Sequence, residues 1–154
     1  MTPDVLEGLN PKQREAVENI DGPLLIVAGP GSGKTRVITH RIAYLVRTCG
    51  VSPYRVVAVT FTNKAAREMR HRLEGLMGPE FGGLKAGTFH SFCAMLLRRE
   101  GQAIGLDRNF AIYDGSDQID LIKRTMAEVD VDPKQFGRGV LLSSISAAKS
   151  QLLG

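Results

Sequence analysis

The sequence predicts an α/β fold built on a parallel sheet, and three observations carry that prediction. Between residues 24 and 100, apolar strand-like runs alternate three times with amphipathic helical patterns. The runs are apolar almost throughout, as in strands covered on both faces by crossover helices. The first run passes straight into a glycine-rich turn and then a helix. The chain has 154 residues, enough for one domain or one and a fraction. Hydrophobic residues make up 43% and charged residues 23%, which excludes a disordered polyelectrolyte, a collagen-like repeat and a coiled coil.

Each element follows from its residues. Asn10, Pro11 and Gln13 form an N-cap, an N1 proline and an N3 capping-box residue, so a short helix opens the chain. Leu24–Ala28 is the first strand, and a helix follows from about Lys34 with Ile38, Ile42 and Leu45 on one face. Arg55–Thr60 is the second strand. Its helix carries Ala65, Met69, Leu73 and Leu76 as one stripe, with Arg67, Arg70 and His71 facing elsewhere. Leu84–Phe89 is the third strand, interrupted by a glycine and followed by a helix with Phe92 and Leu96 on one side.

Near residues 105–110 the character changes, giving units 1–108 and 109–154. In the second unit Phe110–Tyr113 reads as a brief strand, and Ser116 caps a helix carrying Ile119, Ile122, Met126 and Val129. Pro133, Gly137 and Gly139 then interrupt before a helical stretch over Ser143–Leu153. This segment is mainly helical.

The charge is uneven. Lys and Arg number 20 against 16 Asp and Glu, but residues 23–110 hold 13 basic and 5 acidic groups. A basic middle third suits a polyanionic partner. The longest uncharged stretches, Gly22–Gly33 and Ala86–Leu97, have 12 residues, too few to span a bilayer. No basic segment precedes an apolar stretch at the start, so no secretory signal is expected. Cys49 and Cys93 stand far apart without a C-x-x-C spacing. A cytoplasmic location with no membrane partner is the expectation.

The turn after the first strand reads Ala28, Gly29, Pro30, Gly31, Ser32, Gly33, Lys34, Thr35. This is a Walker A pattern with Ala in its opening position, between a strand and a helix as the motif requires. Glycines let successive N–H groups turn inward around a phosphate, and the helix N-terminus adds partial positive charge. Lys34 can reach β and γ phosphates, and the Thr35 hydroxyl can coordinate Mg²⁺. The expected ligands are a nucleotide and Mg²⁺, with Lys34 and Thr35 as the groups closest to the chemistry.

Four segments together resemble the N-terminal part of a superfamily 1 DNA helicase of the UvrD/Rep/PcrA group: Leu9–Val17, Ala28–Arg36, Ala58–Met69 and Ala86–Phe92. They stand in the order of the family's Q motif and motifs I, Ia and Ib, and the segment from Phe110 resembles the opening of its 1B subdomain. The resemblance implies an incomplete RecA-like P-loop sheet (part of domain 1A) followed by the start of 1B. It makes the expected nucleotide cofactor ATP. It implies that Gln13 recognises the adenine edge, where an amide can donate and accept at once, and that Arg36 lies against the adenine face. Capping remains a compatible role for Gln13. It further implies a single-stranded DNA track on Phe61, Thr62, Asn63, Lys64, Thr88, Phe89 and His90. Thr62 or Asn63 would also cap a helix, and either phenylalanine could belong to the core. His71 reads as solvated, and His40 has no assigned role.

A P-loop ATPase also needs a carboxylate for the metal and another for the attacking water. The family carries both in an Asp-Glu pair, and no such pair occurs here. Phe110–Asp114 mimics a strand ending in Asp, but Asp114 stands immediately before a helix and reads as its cap. The parent implied is an ATP-dependent helicase, translocating 3'-5', acting in DNA repair or replication. Its acidic motif and second RecA-like domain, both absent here, are expected partners of this chain, which alone should neither hydrolyse ATP nor unwind DNA. Unpaired strand edges should favour self-association. The alternatives are a non-catalytic module that binds nucleotide or single-stranded DNA, and a small P-loop phosphotransferase.

Overall fold

The structure, a computed structural model, describes residues 4–153. Its contacts divide the chain into two units, one ending at Arg108 and the other beginning at Asn109.

In the first unit the order is α1 (Pro11–Glu18), α2 (Lys34–Arg47), β1 (Val57–Thr60), α3 (Asn63–Met77), β2 (Lys85–Thr88) and α4 (Phe89–Glu100). Short 3-10 turns stand at Pro53–Arg55, Gly78–Gly83 and Gly101–Ile104. β1 and β2 pair in parallel from Val57↔Lys85 to Thr60↔Thr88. The fold class is therefore the expected one, mixed α/β with a parallel sheet.

α1 starts as its residues dictate. Asn10 and Gln13 make the reciprocal capping box, and Pro11 takes the N1 position. The core gathers Ile42, Ala43 and Val46 of α2, Met69, Leu73 and Met77 of α3, Ala58 of β1, Leu84, and Val5 from the segment before α1. The expected helix stripes are each turned slightly. In α3 the buried faces belong to Ala66 and Met77 rather than Ala65 and Leu76, and in α2 Ile38 is exposed. Alternation along the strands puts Ala58 and Ala86 on the core face, and Val59 and Gly87 on the other. On that second face, a Cβ at Gly87 would stand 2.7 Å from Ser91 Oγ of α4, so glycine there permits the close turn from β2 into the helix. α4 itself buries no residue fully, and Leu96 is exposed.

The sheet departs from expectation at its first strand. Leu24–Ala28 pairs with no other described segment. A strand owes its stability to a neighbouring ladder, and none of the described residues supplies one to this run. The period-two pattern survives as exposure: Leu25 and Val27 are 87% and 88% exposed, while Ile26 and Ala28 are half-buried. Arg55 belongs to a 3-10 turn that Pro53 starts, so the second strand opens later than the apolar run suggested.

The second unit is an α-hairpin of α5 (Gly115–Glu128) and α6 (Arg138–Ser150). Phe110–Tyr113 is no strand, since the one sheet among the described residues is β1–β2. Asp114, not Ser116, is the N-cap of α5: its Oδ1 accepts from the Ser116 and Asp117 N–H groups at 2.8 and 2.9 Å. The hydrogen bonds from the Ser116 hydroxyl and from these two amides hold its carboxyl below the usual value. α6 begins earlier than Ser143, because Gly137 serves as its N-cap and Gly139 is absorbed into the first turn.

Leu73 is fully buried and Leu25 is not, so their truncations should separate sharply. Leu73→Ala should cost about 2–5 kcal/mol in denaturant unfolding, whereas Leu25→Ser should stay within about 0.5 kcal/mol. A large loss at Leu25 would show that the 24–28 run is packed in solution.

Candidate functional site

The phosphate loop is built by backbone conformation. Gly31 and Gly33 have φ of +74° and +85°, a region closed to most side chains, so the loop depends on glycine at both places. Ser32 braces it from inside, its hydroxyl donating to Gly29 O at 2.7 Å. Gly33 is the N-cap of α2, and no side chain caps that helix. By contrast α1, α3, α4 and α5 all begin on a side-chain cap, from Asn10, Thr62, Thr88 and Asp114. The N–H groups at the start of α2 thus face the loop without a competing side-chain acceptor, at the positive end of a 14-residue helix.

Lys34 is exposed, and its Nζ donates to Ala28 O at 2.9 Å and Gly29 O at 2.6 Å. The ammonium is therefore folded back over its own loop. Thr35 is half-buried at the next position, and its carbonyl accepts from the Thr39 hydroxyl at 3.0 Å. Pro30 and Ser32 are exposed, and no atom lies within 4 Å of where a Cβ would stand at Gly29 or Gly31.

Gln13 and Arg36 flank this loop. Gln13 is half-buried, with Oε1 accepting from Asn10 N at 3.1 Å and Nε2 donating to Ser32 O at 3.1 Å. Arg36 is exposed, and a Cβ at Gly8 would meet its guanidinium at 2.7 Å, so that group lies on the Gly8 backbone.

The remaining candidates meet at the other strand ends. Since β1 and β2 are in register to Thr60↔Thr88, the next residues, Phe61 and Phe89, emerge side by side. Their ring centroids are 5.1 Å apart, tilted by 39°. Phe61 is 84% and Phe89 42% exposed, so the pair is a surface feature, not core. Asn63, Lys64 and His90 are exposed in the first turns of α3 and α4 beside it. Thr62 Oγ1 accepts from Ala65 N at 3.2 Å, which leaves its hydroxyl proton free to donate. Thr88 is buried, and its Oγ1 accepts from Ser91 N at 3.1 Å, so it shapes the turn and does not join the exposed group.

Several contributors escaped the sequence. Arg41 donates to Ala16 O at 2.8 Å and also to Asn19 O, closing the end of α1 against α2. His40 Nδ1 donates to Val5 O at 2.6 Å and so holds the segment ahead of α1. Ser91 completes a second capping box with Thr88. The signal for Arg41 and His40 was weak: polar residues one and two positions before the buried Ile42 and Ala43. Among the described residues, no group of three His, Cys, Asp or Glu side chains comes together as a metal site.

The family model of the UvrD/REP helicase N-terminal domain matches residues 9–154. The ATP-dependent DNA helicase PcrA of Bacillus subtilis (strain 168) is 52% identical over 148 residues, covering 96% of this chain and 20% of that protein. PcrA of Staphylococcus aureus (strain Mu50 / ATCC 700699) is 49% identical over the same shares, and PcrA of Staphylococcus epidermidis is 48% identical. The chain spans about a fifth of the length of these relatives. A glycine loop opening an uncapped helix, and an exposed aromatic pair at adjacent strand ends, thus lie within a match that omits only the first eight residues: the chain belongs to the UvrD/REP helicase family, in its N-terminal domain.

Proposed function

We propose that this chain is the ATP-binding and DNA-contacting front part of an ATP-dependent DNA helicase that translocates 3'-5' on a single strand in repair or replication. One observation carries the nucleotide half: α2 starts on a left-handed glycine with no side-chain cap, while Lys34 stands on the same turn. The residues fit a nucleoside triphosphate with its magnesium ion. The loop N–H groups and the start of α2 would take the phosphates, and Lys34 would leave the Ala28 and Gly29 carbonyls to pair with them. Thr35 would supply a hydroxyl to the magnesium ion, whose charge, when bound, offsets that of the β and γ oxygens. Gln13 and Arg36 lie beside the loop, and the base would be held on their side.

The DNA half rests on the Phe61–Phe89 pair. A base can stack on an exposed ring irrespective of its identity. Asn63, Lys64, His90 and the Thr62 hydroxyl supply donors for the backbone phosphates at two helix N-termini. A cytoplasmic location accompanies this reading, and no helix among the described residues is long and apolar enough to cross a membrane. The rest of the helicase chain would supply neighbours for Leu24–Ala28. In their place, the exposed Leu25 and Val27 invite pairing with a second copy.

Titration calorimetry tests the nucleotide half. Lys34→Ala should weaken ATP binding by about 1.5–3 kcal/mol, the worth of a hydrogen bond to a charged group, and equal binding would remove the loop from the reading. Single-stranded DNA should bind with a log K against log salt slope of about −2 if three phosphates are neutralised. Phe61→Ala should cost about 1–3 kcal/mol in that assay. A flat salt response or a silent Phe61 variant would make these residues structural.

The isolated chain should release no phosphate from ATP, with or without single-stranded DNA. Asp114 is committed to the cap of α5, and the sequence has no Asp-Glu pair to replace it. Loss of the transition-state arginine alone costs about 10³–10⁵ in related enzymes. DNA-stimulated release that vanishes in Lys34→Ala would overturn this.

A further inference from the structure

We propose that Gln13 is a positioning residue for the phosphate loop: its carboxamide ties α1 to the peptide unit that opens α2, and so governs binding of the phosphates as well as any contact with a base. The inference rests on the nucleotide reading above and adds a role for Gln13 that needs no base.

The geometry has two fixed ends. At one, Gln13 N donates to Asn10 Oδ1 at 2.9 Å while Gln13 Oε1 accepts from Asn10 N at 3.1 Å. The second of these bonds, from a backbone donor, sets the side chain's direction before any ligand arrives. At the other, Nε2 donates to Ser32 O at 3.1 Å, 19 residues further along the chain. A second, independent sign of the same contact is steric: a Cβ at Gly33 would stand 2.8 Å from Nε2, so the amide is pressed against the loop.

Holding the Ser32 carbonyl has a specific consequence. In a planar trans peptide the C=O and the following N–H point in opposite directions. With Ser32 O drawn towards α1, the Gly33 N–H is turned away from α1, which leaves it free to donate to a ligand. Gly33, at φ +85°, lacks the steric limits that would otherwise resist a flip of this unit. The loop's glycines make the turn possible, and Gln13 selects one orientation of it.

α1 can bear this load because it is anchored in turn. Val17 is fully buried, and Arg41 of α2 donates to the carbonyls of Ala16 and Asn19. Loop, α1 and α2 thereby form a closed triangle whose third side is the Gln13–Ser32 hydrogen bond. One proton on Nε2 and one lone pair on Oε1 remain for a base, so the two roles do not compete.

Inorganic tripolyphosphate separates them, because it has phosphates and no base. Calorimetric titration of the chain with tripolyphosphate, ATP and GTP should show all three weakened roughly 3- to 10-fold in both Gln13→Ala and Gln13→Met, the range of one net hydrogen bond. Asn10→Ala, which loosens the cap but keeps the carboxamide, should change tripolyphosphate binding less than about 2-fold, and melting curves establish that each variant is folded. Without ligand, ¹⁵N relaxation should report a lower order parameter at Gly33 in Gln13→Met than in the unsubstituted chain. Unchanged tripolyphosphate binding with only the ATP-to-GTP preference lost would overturn the proposal and leave Gln13 a base reader. An equal loss in Asn10→Ala would overturn it in favour of fraying of α1. Failure of the unsubstituted chain to bind either tripolyphosphate or ATP would instead overturn the nucleotide reading itself.

Discussion

The phosphate loop keeps its place because α2 is anchored from behind, by guanidinium groups that close the ends of its two neighbouring helices. Arg41 donates to the last carbonyls of α1, and Arg47 to Leu76 O at the end of α3 at 2.7 Å. Each puts a positive charge at the negative end of a helix, where unpaired carbonyls would otherwise be left. Half-buried bonds of this kind are worth about 1.5–3 kcal/mol each. The 3.7 Å approach of Arg47 to the exposed Glu80 adds little by comparison. Burial of Ile42, Ala43 and Val46 supplies the non-directional part of the attachment. This matters because the run leading into the loop, Leu24–Ala28, has no paired neighbour among the described residues to hold it.

What could be read from the sequence, and what could not, divides along the range of the interactions. The α1 cap, the loop and the starts of α2 and α3 were legible because each depends on residues within about six positions of one another. Leu24–Ala28 and Phe110–Tyr113 were misread as strands for the opposite reason: their apolar character is local, but pairing requires a partner distant in sequence. The sequence offers both Asp114 and Ser116 as caps of α5, and the choice between them is local. A carboxylate accepts from two successive N–H groups, while the Ser116 hydroxyl donates to that carboxylate. In α6 the glycines looked like breakers, yet Gly137 and Gly139 fall at the cap and in the first turn, where they cost least.

The site shows the same division. Phe61 and Phe89 could be nominated singly, but their pairing follows only from the β1–β2 register, which is a tertiary fact. Gln13 was legible as a cap, and its reach to Ser32 was not, since nothing near Gln13 in sequence marks the loop as its neighbour. Arg41 and His40 belong here too. Each looks like an ordinary polar residue in an amphipathic helix, and each is fixed by a carbonyl at least 22 positions away.

An uncapped helix start is not by itself a sign of ligand binding, and α6 makes the point. It too begins on a glycine without a side-chain cap. Gly137, however, sits at φ −65° and ψ 133°, ordinary extended backbone, and no left-handed glycine accompanies it. At α2 the helix starts from a left-handed glycine, a second left-handed glycine stands two residues earlier, and the first helical side chain is an ammonium held by the loop's own carbonyls. Two conformations that cost most residues energy, together with a charge folded onto carbonyls it can abandon, form a local departure from the capping that α1, α3, α4 and α5 obey. Such departures persist where something else depends on them. Here they leave the N–H groups at the start of α2 without a side-chain acceptor, next to a Ser32 carbonyl that a neighbouring helix holds through Gln13.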